Sequence, residues 1–143
     1  DATTRSFLAL LRDCPTPNIA DEREMAVRLV AYIAKVDGPV RASRNVGPDV
    51  VFKEHVAAEL KRPVGDEFGT SEIDRACGQI ARYSASWSGP LILVLFSRSS
   101  PVFDARLRLL LAEPKLRLRR GGPVLVAWKA RGHFKVVAPT QGA

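Results

Sequence analysis

The segment LILVLF at Leu91–Phe96 narrows what this chain can become more than any other. Its six consecutive apolar residues show no alternation, so a strand built from them must be covered on both faces. Before it, residues 71–87 space Ile73, Ala76, Ile80 and Trp87 like one face of a helix. Ser71 or Thr70 supplies an N-cap, and Gly89-Pro90 stops the run. A helix leading into a doubly covered strand is the pattern of a crossover connection, which predicts an α/β chain with this strand central in its sheet.

The remaining elements are read around that strand. Residues 4–14 (TRSFLALLRDC) place Phe7, Leu8, Leu10 and Leu11 as a short helix, broken by the PTPN that follows. A second helix opens at Asn18 as N-cap and carries Met25, Leu29, Ile33 and Val36 towards Asp37-Gly38-Pro39. From Val40 the period changes. VRASRN, DVVF and VAAELK read as three strands, separated by Gly47-Pro48 and by Lys53-Glu54-His55, with the last two forming a hairpin. A polar loop spans residues 63–70. Beyond the central strand come a helix near 101–112, a basic run at 115–120 read as solvated surface, and VLVAWKA with HFKVVA as a closing hairpin. Trp87 and Trp128, with apolar neighbours, read as core anchors. A length of 143 residues with 46% hydrophobic content suits a single domain over 1–143.

The second and third strands concentrate the chemistry. Alternation along VAAELK sends Val56, Ala58 and Leu60 to one face and Ala57, Glu59 and Lys61 to the other. On the preceding strand Asp49 shares a face with Val51, and hairpin pairing brings its carboxylate towards Glu59. Two carboxylates converging where a sheet opens can hold a hard divalent cation through oxygen, with water and substrate phosphate completing the shell. A lysine two residues on can position the attacking water. Taken singly, these residues have simpler roles: an exposed ion pair, a turn aspartate after proline, a first-turn acid on the second helix, a partly buried helix face.

Pro48-Asp49, nine intervening residues, then Glu59-Leu60-Lys61 resembles the PD-(D/E)xK motif of the restriction-endonuclease-like nuclease superfamily. The order helix, three strands, helix, strand over residues 18–97 is that of the superfamily core, αβββαβ, a central mixed sheet flanked by helices. Residues 98–143 would then be an added C-terminal helix and β-hairpin. The string Asp21-Glu22-Arg23-Glu24-Met25 is similar to the helix start of archaeal Holliday-junction resolvases. Helical phase puts Glu22 on the stripe of Met25, Leu29 and Ile33 and sends Glu24 outward with Arg28 and Lys35, so the family's glutamate role is carried to Glu22. Gln79 and Tyr83 match the QxxxY spacing of RecB-like exonucleases, with Arg75 one turn earlier.

The resemblance implies a deoxyribonuclease dependent on magnesium or manganese. Asp49, Glu59, the Leu60 backbone carbonyl and Glu22 would hold the metal, Lys61 would orient or deprotonate the attacking water, and Gln79 and Tyr83 would steady the substrate end. Lys53, Arg62, Arg75 and Arg82 are the expected phosphate contacts. A net charge of +7 and a pI near 10.0 favour a polyanionic partner. The alternative is a catalytically silent nuclease-like module that binds nucleic acid or protein, and the metal chemistry also tolerates RNA. A homodimer would suit paired cuts. The start at Asp1 suggests a processed product or a piece of a longer protein.

No stretch approaches the roughly 20 apolar residues that span a bilayer, and there is no signal-peptide layout, so no membrane partner is expected. Cys14 and Cys77 suit reduced thiols in a cytoplasm, and with His55 and His133 they show no zinc spacing. Phosphate-loop, nucleophile-elbow, H-E-x-x-H and dinucleotide-turn motifs are missing from the sequence.

Overall fold

The computed structural model describes residues 1–15, 22–42, 48–62, 70–97, 101–130 and 133–138. Its elements in chain order are α1 (Ala2–Asp13), α2 (Glu22–Val36), β1 (Val40–Ala42), β2 (Val50–Phe52), β3 (Val56–Lys61), α3 (Thr70–Ser84), β4 (Leu91–Phe96), α4 (Pro101–Leu111), α5 (Pro114–Arg117), β5 (Leu125–Ala130) and β6 (His133–Val137). The chain is thus α/β. The expected Asn18 cap and most of the polar loop at 63–70 lie outside the described residues.

One mixed sheet of six strands runs in the order β1-β2-β3-β4-β5-β6. β1, β2 and β3 pair antiparallel, β3, β4 and β5 pair parallel, and β6 returns antiparallel to β5. β4 is a centre of this sheet, as its unbroken apolar sequence requires: Leu91 to Leu95 are all buried. Ile92 and Val94 enter the core beneath α1 and α2, with Phe7, Leu11, Met25, Leu29 and Ile33. Leu91, Leu93 and Leu95 enter a second core on the other face, with Ala76 and Ile80 of α3 and Phe103 and Leu110 of α4. Helices therefore cover both faces.

β5 forms the expected closing hairpin and does more. It pairs with β6 and also joins β4 in parallel, Leu95 opposite Trp128, so the extension enlarges the same sheet. The basic run at 115–120 is also more than solvated surface. Leu116 is fully buried, and Arg119 is only 8% exposed, donating from Nε to Ser84 Oγ at 3.1 Å and from Nη2 to the Trp87 carbonyl. Its guanidinium thus ties the end of α3 to the segment that follows it. Trp128 is buried and donates to the Ser97 carbonyl at 2.7 Å, in keeping with a core anchor.

Cys14 and Cys77 are both free and buried, in the cores on opposite faces of the sheet. Among the described residues no helix is long and apolar enough to cross a membrane.

Candidate functional site

Antiparallel pairing of β2 with β3 sets Val50 opposite Ala58 and Val51 opposite Ala57. Continued one step beyond β2, the same register brings Asp49 opposite Glu59, and a second step brings Pro48 opposite Leu60. Val51 and Ala57 face the core under α3, so alternation puts Asp49, Glu59 and Lys61 on that same face. β3 and β4 are parallel and joined through α3, so these three residues lie towards the carboxyl ends of β3 and β4, where open α/β sheets present their ligand crevices.

The end of β2 is not an ordinary strand end. The Ala57 N–H bonds the Pro90 carbonyl on the β4 side, so the N–H groups of Ala58 and Leu60 point the other way, towards β2. The Leu60 N–H donates to Asp49 Oδ2 at 2.8 Å instead of to a backbone carbonyl. The Leu60 carbonyl points to the same edge, where Pro48 carries no N–H to return a ladder bond. Pro48, with no N–H, cannot extend the ladder beyond β2, and Asp49 takes the Leu60 N–H there instead.

Burial makes this cluster electrostatically uncomfortable. Glu59 is 3% exposed; its Oε1 lies 3.4 Å from Lys61 Nζ, while its Oε2 is buried without a hydrogen-bond partner. Desolvation, and next the neighbouring Asp49 charge, push the Glu59 carboxyl up to about 7; Lys61 opposes the shift without cancelling it. Tyr83 of α3 faces the same group. Burial and the charges of Glu59 and Asp49 push its phenol up to about 12, so it stays a neutral hydrogen-bond donor.

The other expected residues divide by position. Gln79 and Tyr83 sit four apart on α3, Tyr83 buried and Gln79 half-buried, with Gln79 Oε1 buried and unpartnered. Arg75 and Arg82 are exposed on α3, and Arg62 is exposed just after Lys61. Glu22 is the first residue of α2; its side chain lies outside the described part of the structure. The phase assigned to that helix matches the packing: Met25, Leu29 and Ile33 are fully buried, and Glu24 Oε1 lies 3.0 Å from Arg28 Nη2 near the surface.

Lys53 is not brought to the cluster. It sits in the turn beyond Phe52, at the opposite end of β2 from Asp49 and about 13 Å along, four residues at about 3.3 Å each. There its Nζ lies 3.3 Å from Asp37 Oδ1.

These groups suit a hard divalent cation by charge and donor type: two facing carboxylates, one with an unpartnered buried oxygen, beside a backbone carbonyl. Among the described residues no three His, Cys, Asp or Glu side chains converge, so water and substrate oxygens would have to complete such a shell. Comparison with known protein families, curated proteins and solved structures finds no match to this chain.

Proposed function

We propose that this chain is a metal-dependent nuclease of the restriction-endonuclease-like type, hydrolysing phosphodiester bonds of DNA. The carrying observation is the meeting of Asp49 and Glu59 across the broken end of β2, with Glu59 Oε2 buried and unpartnered. Nature rarely leaves a buried carboxylate oxygen unsatisfied without a functional reason. The succession α2, β1, β2, β3, α3, β4 supports the same reading, because it has the element order of that superfamily's core.

Asp49, Glu59 and the Leu60 carbonyl would hold magnesium or manganese, with Glu22 as a further candidate ligand. When bound, such a cation supplies Lewis-acid stabilisation of the charge that develops on the phosphoryl oxygens. The chain's own groups do the rest. Lys61 donates to Glu59 and has N–H groups left to orient the attacking water. Tyr83, held neutral, donates a hydrogen bond towards the carboxylates, and Gln79 steadies the substrate end. Arg62, Arg75 and Arg82 neutralise phosphates.

The test is cleavage of end-labelled single-stranded, duplex and branched DNA with magnesium, manganese or a chelator. Metal-dependent products that disappear in Asp49→Ala and Glu59→Ala support the reading; products that persist in both variants overturn it.

One observation favours a second reading, a catalytically silent module that binds nucleic acid. Only two carboxylates converge at the site among the described residues. On that reading DNA binding survives a chelator, and no substrate is cut with either metal.

A further inference from the structure

Gly78 occupies the middle of α3, and nothing in the packing asks for a glycine there. The residue is exposed, a Cβ built on it would meet nothing within 4 Å, and its φ is not in the left-handed region. Glycine inside a helix is less favourable than alanine, so α3 would be more stable with a side chain at this position. The missing side chain needs a reason outside the fold.

Its neighbours point to one. Ser71, Arg75, Gly78 and Arg82 follow one another at spacings of four, three and four, and all are exposed, so they line one outward stripe of α3. Gln79 lies four residues from Arg75 and three from Arg82, on the flank that leads down to Tyr83 and Glu59. That flank holds two buried, unpartnered acceptors, Gln79 Oε1 and Glu59 Oε2, and Glu59 is 3% exposed. Two acidic residues border the stripe: exposed Asp74 on the side away from the site, and half-buried Glu72 on the site flank. The outward stripe itself carries only positive charge.

We propose that this stripe is a track for the phosphodiester backbone of one nucleic-acid strand, with Gly78 as the point of closest approach. The inference rests on the proposal that the neighbouring site acts on phosphodiesters. Arg75 and Arg82 are seven residues apart, about 10.5 Å along the axis at about 1.5 Å per residue, so they contact different phosphates of the same strand. Between them the bare helix backbone lets the strand settle against α3, and the track delivers it to Gln79 and the carboxylates. A side chain at position 78 would hold the strand away from both arginines.

Binding is measured on the whole chain carrying Asp49→Ala, which removes a carboxylate and prevents cleavage, using a short labelled oligonucleotide in single-stranded and duplex form. Adding Gly78→Leu is expected to weaken binding about tenfold, while Ala31→Leu, on the exposed side of α2, leaves it unchanged. Arg75→Ala and Arg82→Ala each reduce the slope of log affinity against log salt by about 0.7 if the ligand is single-stranded and about 0.9 if it is duplex. Thermal melting of Gly78→Leu at or above the parent temperature excludes unfolding as the cause of weaker binding.

Equal affinity of Gly78→Leu and its parent for both oligonucleotides overturns the track; if the chain with Asp49 intact still cleaves DNA, the proposed function stands without it. Weakened binding by Gly78→Leu in a chain that never cleaves supports the track and overturns the catalytic reading. A chain that binds neither oligonucleotide overturns both.

Discussion

Glu54 and Glu59 are five residues apart on one hairpin, and the protein treats them in opposite ways. Glu54, in the turn, is exposed and pairs with Arg41, Nε to Oε1 at 2.6 Å; that hydrogen bond holds its carboxyl below the usual value. Glu59, near the other end of β3, is buried, and burial with the charge of Asp49 raises it to about 7. The whole turn end is built like Glu54, with exposed polar groups in pairs: Lys53 with Asp37, and His55 Nε2 3.0 Å from Asp1 Oδ2. At the β2 break Asp49 and Lys61 are half-buried, Glu59 is buried, and one Glu59 oxygen has no partner. The contrast teaches that proximity of opposite charges says little. Water screens and solvates the turn end, whereas the other end keeps its field.

The strongest way to break this comparison is to remove the unbalanced charge. Asp49→Ala is expected to lower metal-dependent DNA cleavage on the order of a thousandfold, read as initial rates on labelled DNA. The fold should survive, because the hydrogen bond lost to the Leu60 N–H is offset in part by removal of a like charge beside Glu59.

Next in size is the pH dependence of stability without metal. The folded Glu59 carboxyl titrates near 7, above its ordinary 4.5, so its favourable contribution is complete below about 4.5 and is lost as pH rises through 7. Glu59→Gln should therefore gain on the parent between pH 5 and 9, by on the order of 2 kcal/mol in denaturant unfolding. Glu54→Gln sharpens the contrast. Its carboxyl is lowered by Arg41, so its contribution is present above the ordinary range and lost only in acid, and the pH 5 to 9 difference should vanish. Because a cation takes the carboxylate and not the acid, metal affinity should rise with pH up to about 7, as Glu59 of the metal-free chain loses its proton.

A smaller effect separates what the site needs from what the helix needs. Gly78→Ala should raise stability by about 0.5 to 1 kcal/mol, because nothing crowds its Cβ and helix propensity is the only term that changes. The smallest effect belongs to the turn. Lys53→Ala should change stability by less than about 0.5 kcal/mol and leave DNA affinity at the parent value, since its partner is Asp37 at the far end of β2. A clear loss of DNA affinity in Lys53→Ala would show that both ends of the hairpin meet the substrate.

Much of this architecture was legible in the chain. The unbroken apolar run gave β4 its central place, and the two-residue period of a strand put Glu59 and Lys61 on one face of β3. Helical phase placed Met25, Leu29 and Ile33 inward and Glu24 beside Arg28. Lys53, near Asp49 in number, is separated from it by the whole of β2, since an extended strand carries neighbours in sequence apart. Arg119 was read as surface because a basic run gives no hint that a distant helix end will enclose one member. Lys129 is buried in the same way, for only 4% of it is exposed, and it donates to the Arg12 carbonyl at the end of α1, 2.9 Å away.

What the sequence determined by itself are the periodic properties, because side-chain direction in helices and strands follows from local backbone geometry. The αβ order, the faces and the candidate acid–acid–lysine set all have that origin. Tertiary structure alone decided the non-local ones: that β5 would pair in parallel with β4, that Asp49 would take the Leu60 N–H, and that Glu59 would be sealed while Glu54 stayed wet. Those outcomes depend on which distant segments exclude water from a given atom, and the energy of a charge depends on that exclusion far more than on its neighbours in the chain.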